Sequence, residues 1–344
     1  MTHIQILTVY YQGYIIKMTK YSYGTAIRAA FDYLLDKYPE FFIIGQGLWS
    51  PWYVGNTMTD LDKKYGKERV IDTPVSEAAC TGLAVGASMC GSMPVVVHPR
   101  IDFMLYAMDP VVNQAAKWSH MTGGLSNPGL TVRCIINRGG EQGAQHSQSL
   151  HSWFSHIPGL RVVMPYSVSD ARDLMIASVL CKDPVIFIDD NWLYNDEDEI
   201  GEIEEKRLND IEPKVIKEGT DLTIVSSSYS TKLALEASSI LESEHNMSAE
   251  VIDLRVLSPL KNKNVISSIN KTKNLVVIDG GTKTSGYAAE IISSVVETIP
   301  HDLLNTKPLR ITLPDSPAPT SRELEKIYYL NAPDIVNKIL ENIR

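Results

Sequence analysis

Val70-Ile71-Asp72-Thr73-Pro74-Val75-Ser76-Glu77 is the stretch on which the reading of this chain turns. A β-branched run stops at a proline, and a carboxylate then opens the small-residue segment Ala78-Ala79-Cys80-Thr81-Gly82-Leu83-Ala84-Val85-Gly86. Pro74 suits the first turn of a helix, where its missing N–H costs nothing, and Thr73 is placed to cap that turn. The pattern is strand, turn, helix, with Glu77 near a helix N-terminus just past the carboxyl end of a strand. In an open α/β sheet this is where ligands bind. Alanine and glycine along the helix leave room for other structure to approach closely. Taken alone, Glu77 needs no function, because a carboxylate complements the positive end of a helix by a few tenths of a kcal/mol to about one.

Helices and strands alternate on either side of this stretch. Residues 23–37 carry apolar side chains at helical spacing, and 41–44 form a buried-type strand closed by Gly45. A strand at 70–72, a helix over 76–90 and a strand at 94–97 follow. Residues 103–120 are predicted as one long helix with Met104, Ala107, Val111, Ala115 and Trp118 on one side. Strands at 130–136, 161–165 and 184–188, with a helix over 169–180, complete the series. Continuous apolar strands between helices predict a mainly parallel sheet covered on both faces. The stretch 189–205 then holds nine acidic residues and reads as a solvated linker. A second α/β series has strands at 221–225, 249–254 and 274–278, and helices over 231–242, 264–270, 286–297 and 332–343. The expected organisation is an added N-terminal segment (1–17), a first α/β domain (18–190), an acidic linker (191–211) and a smaller α/β domain (212–344).

At 344 residues with a formal net charge of -9, the chain is a poor match for nucleic acid or an anionic membrane surface. Cys80, Cys90, Cys134 and Cys181 are widely spaced in apolar runs, as buried thiols in a reducing compartment would be. The apolar run at 4–16 lacks a basic lead and a small-residue cleavage site, and it is too short and polar to span a bilayer. The expected location is the cytoplasm. Gly45-Gln46-Gly47-Leu48-Trp49-Ser50 falls one glycine short of a dinucleotide fingerprint, and Pro51 opposes a long helix there. Asp279-Gly280-Gly281 reads as a turn after a strand. His146 lies in a loop rich in Gly and Gln (139–148), flanked by Gln145, Ser147 and Gln148. It is off any apolar stripe, and an imidazole so placed can donate to a carboxylate or oxyanion or manage protons. His151 and His156 read as surface or interface residues, while His98 stands near the strand end that precedes Phe103. Phe103, at the start of an apolar helix, is equally readable as core.

Five motifs occur in one order: Asp72 to Glu77; His98-Pro99-Arg100-Ile101-Asp102-Phe103; Asn113-Gln114-Ala115-Ala116-Lys117; Gly143-Ala144-Gln145-His146-Ser147-Gln148-Ser149-Leu150; and His156-Ile157-Pro158-Gly159-Leu160. From about residue 21 to the C-terminus the chain resembles the beta subunit of the thiamine-diphosphate-dependent decarboxylase component of 2-oxo acid dehydrogenase complexes. The resemblance implies a pyrimidine-binding fold followed by a transketolase C-terminal-like domain. It implies that Glu77 hydrogen-bonds the aminopyrimidine nitrogen and so favours the imino tautomer that serves as base. It gives Phe103 the stacking role on that ring and His146 a role in substrate binding or acyl transfer. The chain lacks the Gly-Asp-Gly and Asn-Asn pair that holds Mg²⁺ and diphosphate in this enzyme class. The resemblance supplies that half from an alpha subunit, in an α₂β₂ heterotetramer, with a 2-oxo acid as substrate and a lipoyl acyltransferase core as further partner. Transketolase-like or acyloin-forming transfer without a lipoyl partner is the alternative. A non-catalytic scaffold is a third, against which the retention of Glu77 and His146 speaks.

Several departures alter the expected pocket wall. Gly45-Gln46-Gly47 stands where many members read Gly-Glu-Glu, and Tyr106 where pyruvate-type members carry glutamine. The 138–146 loop is shortened, and His98-Pro99-Arg100 replaces an acidic-aromatic start. The identity of the 2-oxo acid is therefore left open. Cys181 replaces an aspartate at the family's monovalent-cation site, so no metal is assigned to this chain.

Overall fold

In a computed structural model, residues 6–11 and 14–343 are described. They divide into two units, one from residues up to 135 together with 157–211, the other from 136–156 together with 212–344.

In the first unit, helix Tyr23–Lys37 starts at a capping box: Ser22 Oγ accepts from the Thr25 N–H at 3.3 Å, and Thr25 Oγ1 accepts from the Ser22 N–H at 2.8 Å. Its apolar stripe, including Ile27, Phe31 and Leu34, is fully buried, and it packs beside helix Val168–Val179. The sheet of this unit runs in the order Arg161–Val163, Val185–Asp190, Thr131–Ile136, Met93–His98, Phe41–Gly45, Val70–Asp72. The paired strands are parallel. Every residue of the strands Thr131–Ile136 and Val185–Asp190 is buried, as a sheet covered on both faces requires. The α/β class expected from the alternation is the one observed.

Three expectations change. The region 103–120 is not one α-helix. It runs as Ile101–Met104, a 3₁₀ turn Leu105–Ala107, a π-helical stretch Asp109–Ala115 and helix Ala116–Met121. Pro110 lacks the N–H that the α ladder needs at this point. Met104, Ala107, Val111 and Ala115 are nevertheless buried together, so the apolar face survives the change of pitch. The acidic stretch is not wholly solvated, since its strand Glu197–Ile200 pairs antiparallel with Tyr14–Ser22 and Lys20 bridges Glu197 at 2.6 Å. Of the segment 1–17, residues 1–5, 12 and 13 lie outside the described residues, and the strand Ile6–Tyr11 pairs with Tyr14–Ser22.

The third change is deeper. Asp189 and Asp190, the first two residues of the acidic stretch 189–205, are buried at the end of a central strand. Arg133, on the adjacent strand, is 0% exposed and grips Asp189 with two bonds, Nε to Oδ1 at 3.1 Å and Nη2 to Oδ2 at 2.7 Å. Its Nη1 donates to Thr57 Oγ1 at 2.9 Å, its Nη2 also to the Tyr194 hydroxyl at 2.9 Å, and the guanidinium faces the Phe31 ring. Burial by itself would ease the proton off, but the Asp189 carboxylate holds the guanidinium firmly charged.

The second unit is a five-stranded sheet ordered Lys214–Lys217, Ala249–Asp253, Leu222–Ser226, Leu275–Thr282, Leu309–Leu313. The first strand is an antiparallel edge and the rest are parallel. Leu233, Ala237 and Leu241 of helix Tyr229–His245 meet Ile335 and Ile339 of helix Ala332–Asn342 over Leu222 and Ile224.

Removing one member of the buried pair leaves an uncompensated charge, so Arg133→Ala and Asp189→Asn should each lower stability by about 3–5 kcal/mol. Denaturant unfolding should show the double variant losing much less than the two single losses added together. Strict additivity would show that the pair is not coupled.

Candidate active site

The carboxyl ends of three strands of the first unit are drawn together by backbone geometry. Gly45 pairs with Val97 on one side and Asp72 on the other. A Cβ on Gly45 would sit 2.3 Å from the Val97 carbonyl oxygen, so only glycine permits this approach. The Thr73 N–H donates to the Gly45 carbonyl at 2.9 Å, and the Gly47 N–H donates to Asp72 Oδ1 at 2.7 Å. The loop after Gly45 is turns and bends with no helix following directly, unlike a dinucleotide fold.

Glu77 opens helix Glu77–Met89 at this edge. The helix begins later than a Thr73 cap implies: Ser76 takes the cap position, and Thr73 Oγ1 instead accepts from Cys80 Sγ at 3.3 Å. Glu77 keeps only 8% of its surface exposed, and among the described residues its carboxylate has no hydrogen bond or ion pair. One turn further along the same helix face, buried Thr81 has its Oγ1 3.1 Å from His98 Nε2. That bond ties the end of strand Met93–His98 to the first turns of the Glu77 helix. Burial pushes the His98 imidazole down to about 4, so it is a neutral strut at pH 7. Phe103 follows five residues later, half-buried on Ile101–Met104.

His146 belongs to the second unit, in a turn where its N–H donates to the Gly143 carbonyl at 3.3 Å. It is half-buried. His151, read from sequence as a surface or interface residue, is in fact 2% exposed. Its Nε2 lies 2.9 Å from Asp279 Oδ1 and its Nδ1 3.0 Å from Ser149 Oγ. A carboxylate can only accept, so Nε2 carries a proton and Nδ1 faces the serine. Asp279 also accepts from the N–H groups of Gly281 at 2.8 Å and Ala288 at 3.0 Å. Burial alone would raise its pKa, yet His151 and those donors hold the carboxyl below the ordinary range. Asp279-Gly280 thus continues the strand Leu275–Thr282 instead of turning after it. The sequence carried no sign of this partnership, because its members lie 128 residues apart.

Among the described residues, no cluster of three or more His, Cys, Asp or Glu side chains is arranged to hold a metal ion, and no helix is long and apolar enough to cross a membrane. Residues 19–195 match the transketolase pyrimidine-binding domain and residues 212–335 the transketolase C-terminal domain. The chain is 35% identical over 318 residues to the mitochondrial pyruvate dehydrogenase E1 component subunit beta of Saccharomyces cerevisiae, covering 92% of this chain and 87% of that one. It is 36% identical over 326 residues to the corresponding subunit of Rickettsia bellii, covering 91% and 96%. The chain belongs to the E1 beta subunit family of thiamine-diphosphate-dependent 2-oxo acid dehydrogenases. The fold of this E1 beta chain also matches a solved split-gene transketolase described as an inactive beta4 tetramer, with TM-score 0.73, 21% identity, and coverage of 94% of this chain and 98% of that one. It matches transketolase from Campylobacter jejuni with TM-score 0.69 and 13% identity over 94% of this chain, there spanning 47% of the longer protein.

The neutral strut has a pH signature. His98 takes up its proton near pH 6.5 when unfolded and only near 4 when folded. The unfolded chain therefore binds more protons in that window. The stability that neutral His98 contributes is complete above pH 6.5 and is lost as pH falls toward 4, by about 3 kcal/mol at most. Unfolding free energies measured from pH 7 to 4.5 should slope less steeply in His98→Gln; an unchanged slope would remove His98 from this account.

Proposed function

We propose that this chain is the beta half of a thiamine-diphosphate-dependent 2-oxo acid decarboxylase and dehydrogenase, working with an alpha subunit in an α₂β₂ assembly. One observation carries the reading: Glu77 is only 8% exposed at the carboxyl edge of a parallel sheet, and among the described residues its carboxylate has no hydrogen bond or ion pair. A carboxylate held at a sheet edge with its oxygens unclaimed is placed to accept a proton-sharing group brought from outside. The aminopyrimidine ring of thiamine diphosphate fits that requirement, since its ring nitrogen shares a proton with a carboxyl group. Glu77 holds that proton and Phe103 offers the flat apolar face beside it. When bound, the cofactor supplies the electron-accepting thiazolium needed to break the bond between a 2-oxo acid's carbonyl carbon and its carboxylate. His146, on the loop of the second unit, donates to the substrate carboxylate or to the acyl acceptor. Mg²⁺ and the diphosphate are held mainly by the alpha subunit, and a lipoyl acyltransferase core receives the acyl group. Family membership at 35–36% identity supports the cofactor and the alpha partnership. Four free cysteines fit the proposed cytoplasmic setting.

The test separates two roles in the enzyme assembled with an alpha-type partner. Glu77→Ala should slow proton exchange at the thiazolium carbon by at least tenfold while the assembly persists; wild-type exchange rates would overturn the assignment. His146→Ala should leave that exchange intact and lower decarboxylation or acceptor acylation by roughly 10²–10³. If exchange, decarboxylation with an artificial electron acceptor and acylation all stay within about threefold of wild type, less than 1 kcal/mol, His146 is structural.

A further inference from the structure

The other enclosed arginines of this chain are satisfied within it. Arg133 grips Asp189, Arg138 Nη1 donates to the Gly280 carbonyl, Arg172 donates to Asp173 and the Gly201 carbonyl, and Arg69 donates to the Tyr38 and Phe41 carbonyls. Arg100 differs. Its Nη1 is wholly buried with no hydrogen-bond partner, and among the described residues it forms no ion pair, not even with Asp102 two residues on. A guanidinium has five donors and cannot discard its charge, so leaving one enclosed and unanswered costs more than for a neutral group. The position is specific. Arg100 follows the end of strand Met93–His98 by two residues, on the carboxyl edge that carries Glu77, and precedes Phe103 by three. On the same edge Gln46 and Gly47 bring no charge, and Asp72 is engaged by the Gly47 N–H.

We infer that Arg100 is a substrate-recognition residue, pairing through its planar fork with the carboxylate of a small 2-oxo acid. This rests on the decarboxylase reading above, in which the substrate carries a carboxylate beside its reacting carbonyl. A planar, two-oxygen anion is the acceptor a guanidinium fork matches best, and one placed beside the reacting carbonyl orients the bond that breaks. The diphosphate is not the anion meant, because that half of the cofactor lies with the alpha subunit in this reading.

Two probes isolate the charge. Oxamate is an inert analogue of pyruvate with a carboxylate, and oxamide is its neutral counterpart. Calorimetry on the cofactor-loaded αβ assembly should show oxamate binding roughly 10–100-fold weaker in Arg100→Ala than in wild type, with oxamide affinity unchanged. Arg100→Lys should recover part of the oxamate affinity, since it keeps the charge but not the fork. The KM of whichever 2-oxo acid wild type decarboxylates best, among pyruvate, 2-oxobutanoate and 3-methyl-2-oxobutanoate, should rise in the same proportion as the oxamate Kd. If wild type decarboxylates a 2-oxo acid but Arg100→Ala binds oxamate within threefold of wild type, this inference fails while the decarboxylase reading stands. If Arg100→Ala instead falls apart into separate subunits, the guanidinium serves a partner's carboxylate and the inference is overturned. If wild type decarboxylates none of the three acids, both readings fall together.

Discussion

The first unit depends on a charge inside its sheet. Arg133 and Asp189 sit on central parallel strands, completely removed from water, and neither is tolerable there without the other. Their bidentate contact aligns the two strands laterally, while Thr57 and Tyr194 take two further donors and bring two outer segments against the sheet. Tyr194 closes the set by donating to Asp189 at 2.6 Å. A hydrophobic pair would have sealed this space as well, but without directional demands on four separate segments. The network therefore specifies where those segments go more than it adds to stability.

From that base the strands deliver their carboxyl ends to one edge, and the edge is shaped by close backbone approach. Gly45 lies against the Val97 carbonyl, and the Asp72 carboxylate captures the Gly47 amide, so the loop between them has little freedom. The bond between Thr81 and His98 then sets the first turns of the Glu77 helix against the adjacent strand. The start of the Glu77 helix is thus positioned by groups other than the Glu77 carboxylate itself. Preorganisation of this kind is what the acid–base role proposed for Glu77 requires.

The second unit uses the same device for a different segment. Asp279, fastened by two backbone amides, orients His151, and His151 in turn engages Ser149 three residues beyond His146. The segment after His146 in this E1 beta chain is therefore anchored from a buried carboxylate outward. The sequence signs of the candidate site residues and those of the anchor differ in kind. Glu77, Phe103 and His146 stand in ordered motifs, whereas Asp279 and His151 stand in none.

Local pattern was enough for the α/β class, the helix Tyr23–Lys37 and most strands, because period and caps act within a few residues. The motif around Glu77 was equally legible, since strand, proline and helix follow one another directly. Local pattern failed wherever a partner was distant in sequence. Asp189 read as solvated because nothing near it announces Arg133, 56 residues away, and His151 read as exposed because Asp279 lies 128 residues on. The π-helical turn at Asp109–Ala115 and the strand Glu197–Ile200 also escaped, one because a single proline shifted the hydrogen-bond ladder, the other because a charged edge strand looks like a linker. The sequence by itself determined the fold class and the ordered motifs that mark the family. Which charges are buried, and which partners they find, was decided only by tertiary structure, because the cost of enclosing a charge depends on what the fold brings beside it.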